Sequence, residues 1–220
     1  MTETLSGPML PPKSGGAAKQ LMVLLHGYGA NGADLLALGY QWRELFPDML
    51  FVSPDAPHPC GLGQGYEWFP VDYERRAEAW RLGPQLAAPV LINFLMDLWA
   101  QTGVKPGRTI LTGFSQGAMM ALHVGTALDQ PVAGIIAFSG AFAPAAGFGA
   151  SVRPKPPVAI IHGDEDNVVP VDLGRLAAKD LTAVGFDVSL YISPGAGHGI
   201  GPDGLDFATS FLLAQMANNP

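Results

Sequence analysis

Gly113-Phe114-Ser115-Gln116-Gly117 is a G-x-S-x-G pattern. Set on a sharp strand-to-helix turn, it would lift a serine hydroxyl above a sheet, with the flanking glycines letting other backbone pass close. Nine serines and 28 glycines in 220 residues give this pattern by chance roughly 0.15 times per chain, so its surroundings decide its weight. They favour a nucleophile: the apolar pair Ile110-Leu111 leads in, and the helical stretch Ala118, Met119, Ala121, Leu122 leads out. A serine hydroxyl needs a base to attack an acyl carbon. Of five histidines, His198 lies in the Gly-rich loop Ser193-Pro194-Gly195-Ala196-Gly197-His198-Gly199, after one apolar run and before the last helical stretch. There an α/β sheet would present a general base. His26 and His162 each follow an apolar run and precede Gly, which reads as turn-shaping with buried hydrogen bonds. His123, eight residues past Ser115 along a helical stretch, points away from the turn, and His58 sits in an aromatic loop.

The base needs an acid to fix its tautomer. His162-Gly163-Asp164-Glu165-Asp166-Asn167-Val168-Val169-Pro170 offers three. Asp164 is close enough to the preceding run to shape the turn, Glu165 is expected to face water, and Asp166 is preferred, although charge alone does not choose. Leu24-Leu25-His26-Gly27-Tyr28-Gly29 supplies a fourth turn, and an oxyanion would take N–H groups from Tyr28 and from Gln116, the residue after the serine.

Elements must bring these turns together. Apolar runs at 21–25, 49–53, 109–112, 134–138, 158–161 and 188–192 are mostly continuous, as strands are when helices cover both faces of a parallel sheet. Helical stretches are expected at 34–46, 84–101, 116–128, 172–184 and 204–216, with Pro84 at a first-turn position. The alternation predicts an α/β fold with a mainly parallel sheet, which places all four turns on its carboxyl edge, where such sheets bind ligands. The expected division is a tail or edge segment at 1–19 and one domain at 20–217. The stretch 56–82, rich in Gly, Pro and aromatics, reads as a long loop.

Composition narrows the classes of function. With 12 basic and 19 acidic residues the net charge is −7, and no Lys/Arg run exceeds Arg75-Arg76, so a nucleic-acid partner is not expected. Cys60 is the lone cysteine, which leaves no disulfide within the chain and no thiolate metal cluster. No run of about 18 apolar residues exists to span a membrane, and the first twenty residues lack the pattern of a signal peptide. A cytoplasmic location is the expectation.

Taken as a set, LHGYGANGADL (25–35), SPDAP (53–57), EWFPVD (67–72), GFSQGAMMAL (113–122), HGDEDNVVP (162–170) and GAGHGI (195–200) resemble the phospholipase/carboxylesterase family, which includes bacterial carboxylesterases and acyl-protein thioesterases. The resemblance implies an α/β-hydrolase fold without a separate lid domain. It implies Ser115 as nucleophile, His198 as base, Asp166 rather than Asp164 as acid, and oxyanion donors at Tyr28 and Gln116. Tyr28 stands where thioesterases usually carry Leu, and Asn31 where many members carry Asp, which looks closer to the bacterial esterases. Trp68 and Phe69, helped by Phe142 and Val169, are expected to wall an acyl pocket, with core packing as the competing reading.

The expected reaction is hydrolysis of small to medium acyl esters through an acyl-enzyme, without metal or organic cofactor. A histidine base must be neutral, so rates should fall as pH drops through about 6 to 7. The partner would be a small acyl ester or thioester, and a homodimer is possible. Competing readings are an acyl-protein thioesterase or lysophospholipase acting on long acyl chains, a peptidase, and a non-catalytic binding module.

Overall fold

The apolar runs pair into one sheet. In the computed structural model, which describes residues 4–61, 63, 65–71, 74, 76–144, 148–149 and 155–217, the strands are β1 (Met9–Leu10), β2 (Gln20–Leu25), β3 (Met49–Val52), β4 (His58–Pro59), β5 (Tyr66–Glu67), β6 (Thr109–Phe114), β7 (Gly134–Phe138), β8 (Val158–Gly163) and β9 (Val188–Ser193). Seven of them form a sheet in the order β1-β3-β2-β6-β7-β8-β9. Only β1 runs antiparallel, pairing Met9 with Val52, and every other pairing in this sheet is parallel.

Helices α1 (Gly32–Trp42), α2 (Arg76–Thr102), α3 (Gln116–Gly125), α4 (Val171–Ala183) and α5 (Pro202–Ala217) complete the elements that carry the fold. The side-chain period of two sends neighbouring strand residues to opposite faces. Along β7, Ile135 and Ala137 join a core with α2, α3 and α4, while Ile136 and Phe138 join one with α1 and α5. Both faces are therefore covered, and β6, β7 and β8 are buried almost end to end. Each fully buried Leu, Ile or Val there contributes about 1.5–3 kcal/mol, which is why the runs are continuous rather than alternating.

Two elements differ from expectation. α2 starts at Arg76, inside the stretch read as loop, and carries Pro84 and Pro89 within it. A proline suits a helix's first turn, so Pro84 reads as a start; here the helix tolerates the lost N–H and continues upstream. The rest of the 56–82 stretch holds the small antiparallel hairpin β4–β5, which is bridged to Ala30 through Tyr66. The segment before β2 is an edge of the sheet: Ser53 and Asp55 donate their N–H groups to Pro8 and Ser6 carbonyls at 3.0 and 2.9 Å.

Candidate active site

β6 ends at Phe114 and α3 begins at Gln116, leaving Ser115 alone to make the turn with φ 54° and ψ −117°. That conformation costs a non-glycine residue on the order of 1–3 kcal/mol. The surroundings hold it there. Ser115 N–H donates to the Phe138 carbonyl of β7 at 2.9 Å, and its own carbonyl accepts from Met119 N–H at 3.1 Å. A Cβ at Gly113 would fall 2.2 Å from the Gly117 carbonyl oxygen, and one at Gly117 1.9 Å from that of Leu25. Only hydrogen fits at either flank.

The loop after β9 brings His198 over this turn. His198 Nε2 lies 3.0 Å from Ser115 Oγ, and its Nδ1 lies 2.8 Å from Asp166 Oδ2. The imidazole also rests on the Phe114 ring, 4.9 Å between centroids. Asp166 Oδ1 accepts N–H groups from Val168 and Val169, both at 2.9 Å. Burial pushes the Asp166 carboxyl up, but the hydrogen bonds from His198, Val169 and Val168 outweigh it and hold it below the usual carboxylate range. An ionised Asp166 accepts only, so Nδ1 of His198 donates and Nε2 faces the serine hydroxyl as acceptor.

Two acids outside this line anchor the histidine loop. Asp164 Oδ1 accepts from Gly195 N–H at 2.6 Å, and Asp203 Oδ2 accepts the hydroxyls of Tyr191, at 3.1 Å, and Ser193. Gly163 lies so close under the loop that a Cβ would meet the Ala196 carbonyl oxygen at 2.2 Å. Asp164 thus shapes the turn, as its nearness to β8 suggests. Asp203 carried no such signal, because its partners lie across the loop.

The Gly27–Gly29 turn after β2 lies against the serine, with a Cβ at Gly27 falling 3.3 Å from Ser115 Cβ. Tyr28 sits in this turn. Gln116 is the first residue of α3, where N–H groups have no acceptor within the helix. The Gln116 side chain does something that sequence reasoning missed. Its Oε1 accepts from Trp68 N–H at 2.8 Å and its Nε2 donates to the Phe69 carbonyl at 2.7 Å. Trp68 Nε1 in turn donates to the His26 carbonyl at 3.0 Å, and Gly29 N–H to the Tyr66 carbonyl at 2.9 Å. The aromatic loop is thereby a brace behind the Tyr28 turn.

Of the two readings of the expected pocket walls, burial favours core packing. Trp68 is 0% exposed, Phe69 2% and Val169 1%, so core packing accounts for most of their surface. The Phe69 ring packs on α2 at Gly83, where a Cβ would come 2.2 Å from it. Val169 uses its backbone, on Asp166 and on His162. Phe142 alone of the four is half-buried, edge-on to Phe148.

The other histidines fill structural places. His26 donates from Nδ1 to the Gly27 carbonyl and accepts Ala56 N–H on Nε2; burial lowers its pKa against that carbonyl's pull. His123 donates from Nδ1 to the Ala143 carbonyl, and His58 pairs in the hairpin. Among the described residues no cluster of His, Cys, Asp and Glu is arranged to hold a metal, and no helix is long and apolar enough to cross a membrane.

Known proteins resemble the chain along nearly all of its length. The model of the phospholipase/carboxylesterase family matches residues 12–216. Esterase YpfH of Escherichia coli is 32% identical, covering 89% of this chain and 82% of that protein. Acyl-protein thioesterase 1 of Gibberella zeae is 30% identical over 89% of this chain and 90% of its own. The crystal structure of esterase PE8 superposes with a TM-score of 0.92 at 56% identity, covering 96% of this chain and 99% of that one. A parallel sheet with a serine elbow at its carboxyl edge, matched along nearly all its length, leaves one conclusion: the chain belongs to the phospholipase/carboxylesterase family and has the α/β-hydrolase fold.

Proposed function

We propose that this chain is a serine carboxylesterase that hydrolyses small to medium acyl esters, with Ser115 as nucleophile, His198 as base and Asp166 as acid. One observation carries the reading: Ser115 Oγ, His198 and Asp166 form a continuous hydrogen-bonded line, at 3.0 and 2.8 Å, above a strained elbow. In the reaction Oγ bonds to the acyl carbon as its proton passes to His198 Nε2, and Asp166 steadies the resulting imidazolium. The N–H groups of Tyr28 and Gln116 take the oxyanion, and each such donor is worth about 10²–10³ in rate. Collapse expels the alcohol with the proton from His198, leaving an acyl-serine. Water, deprotonated by His198, then releases the acid and restores Oγ–H.

The test is hydrolysis of p-nitrophenyl esters from acetate to palmitate by the wild type and Ser115→Ala. Turnover should peak between butyrate and octanoate, and the substitution should cost on the order of 10⁶ in kcat. A wild type inert at every length, or a fully active variant, would sink the reading. The likeness to a protein named acyl-protein thioesterase 1 favours a second reading, thioester cleavage of longer acyl chains. Faster turnover of a palmitoyl than a butyryl thioester would select it.

A further inference from the structure

We infer that His162 is a positioning residue: its Nε2–H, bonded to the Val169 carbonyl and facing Asp166 Oδ2, fixes the orientation and basicity of that oxygen. This rests on Asp166 being the acid of the proposed esterase.

The ring sits at the end of β8, fully buried, with Nε2 2.7 Å from the Val169 carbonyl oxygen and 3.4 Å from Asp166 Oδ2. Both atoms only accept, so Nε2 carries the proton. The Val169 N–H in turn donates to Asp166 Oδ1 at 2.9 Å. The three groups are thus held together: Asp166 accepts from Val169 N–H, the Val169 carbonyl accepts from His162, and His162 Nε2–H lies beside Asp166 Oδ2. The ring's other nitrogen, Nδ1, is buried with no partner among the described residues. It abuts α4 at Gly174, where a Cβ would come within 2.6 Å of it. A second proton has nowhere to bond.

Burial accordingly lowers the His162 pKa, against the pull of the Val169 carbonyl and the Asp166 charge, while His198 lowers it further. Asp166 and His198 are the charged groups acting on the ring. A neutral donor is what the site needs here. A cation beside Asp166 would spend the carboxylate's charge, whereas a neutral N–H orients Oδ2 and leaves that charge for the imidazolium of His198.

The experiment compares His162→Leu, which removes the donor, with His162→Gln, which returns an N–H at similar reach. With p-nitrophenyl butyrate, His162→Leu should lower kcat about 10-fold with KM nearly unchanged, since Asp166 Oδ2 loses the contact that keeps it aimed at His198 Nδ1. The acid limb of its kcat/KM profile should move to higher pH, because a less solvated Asp166 binds imidazolium more strongly. His162→Gln should recover most of both effects. Wild-type kcat and profile in both variants, or a kcat loss in both with an unmoved acid limb, would overturn the inference.

Nitrogen-15 NMR of the wild type covers the case in which the leucine variant does not fold. It should show His162 as the Nε2–H tautomer across neutral pH, with a proton signal that moves in Asp166→Asn. An Nδ1–H tautomer, or a signal indifferent to Asp166, would refute the contact. Loss of the esterase reading shows separately, as wild-type turnover that is absent or independent of Ser115.

Discussion

Both oxygens of Asp166 are engaged, one by two backbone N–H groups and the other by His198, and its side chain is shut away from water. Asp164, two residues earlier, is exposed and spends one oxygen on Gly195. The two acids should therefore separate cleanly in kinetics. Asp166→Ala is expected to lower kcat by about 10⁴, while Asp164→Ala, which loosens only the loop, should cost about 10-fold or less. Comparable losses in steady-state assays would contradict the assignment. The proposed nucleophile and base stood out by spacing because their turns follow apolar runs. The acid did not, since three carboxylates in a row differ only in where the chain folds them, and the family resemblance was needed to choose. Trp68 and Phe69 were open to two readings for a related reason: hydropathy marks an aromatic as buried without saying whether a ligand or a helix buries it.

Where β6 turns into α3, the helix passes so close to β2 that Gly117 lies against the Leu25 carbonyl. Gly117→Ala should accordingly destabilise the chain by about 3 kcal/mol, the upper end for overpacking, by displacing the elbow from β2. Gly107→Ala, at a position with nothing within 4 Å, is the control and should change little. Denaturant melts of the pair decide it, and equal midpoints would refute the close-packing argument. The six long strands of the sheet were legible because their apolar residues run together, most fully in β6, β7 and β8, where both faces are buried. β1 was not legible as a strand, since two residues give no period, and it is fixed by pairing with β3. The start of α2 was hidden by Pro84, whose local meaning as a helix beginning is overridden by packing around Phe69 and Gly83.

For the molecule as a whole, buried neutral imidazoles tie stability to pH. His26 and His162 both have pKa values lowered chiefly by burial. In the unfolded chain they accept protons near pH 6.5, while the folded state resists until lower pH. Their contribution is thus complete above about pH 6.5 and is lost as pH falls toward the depressed folded values. Glu67, raised by partial burial, acts in the opposite direction but nearer the carboxylate range. Thermal unfolding should show Tm dropping as pH goes from about 7.5 to about 5.5, and a flat Tm would contradict the burial argument. The Ser115 elbow has a consequence of another kind. Its backbone angles suit glycine better than serine. A lineage selected for heat resistance alone would drift toward glycine at this position, and with Ser115 as the proposed nucleophile a demand for turnover opposes that drift.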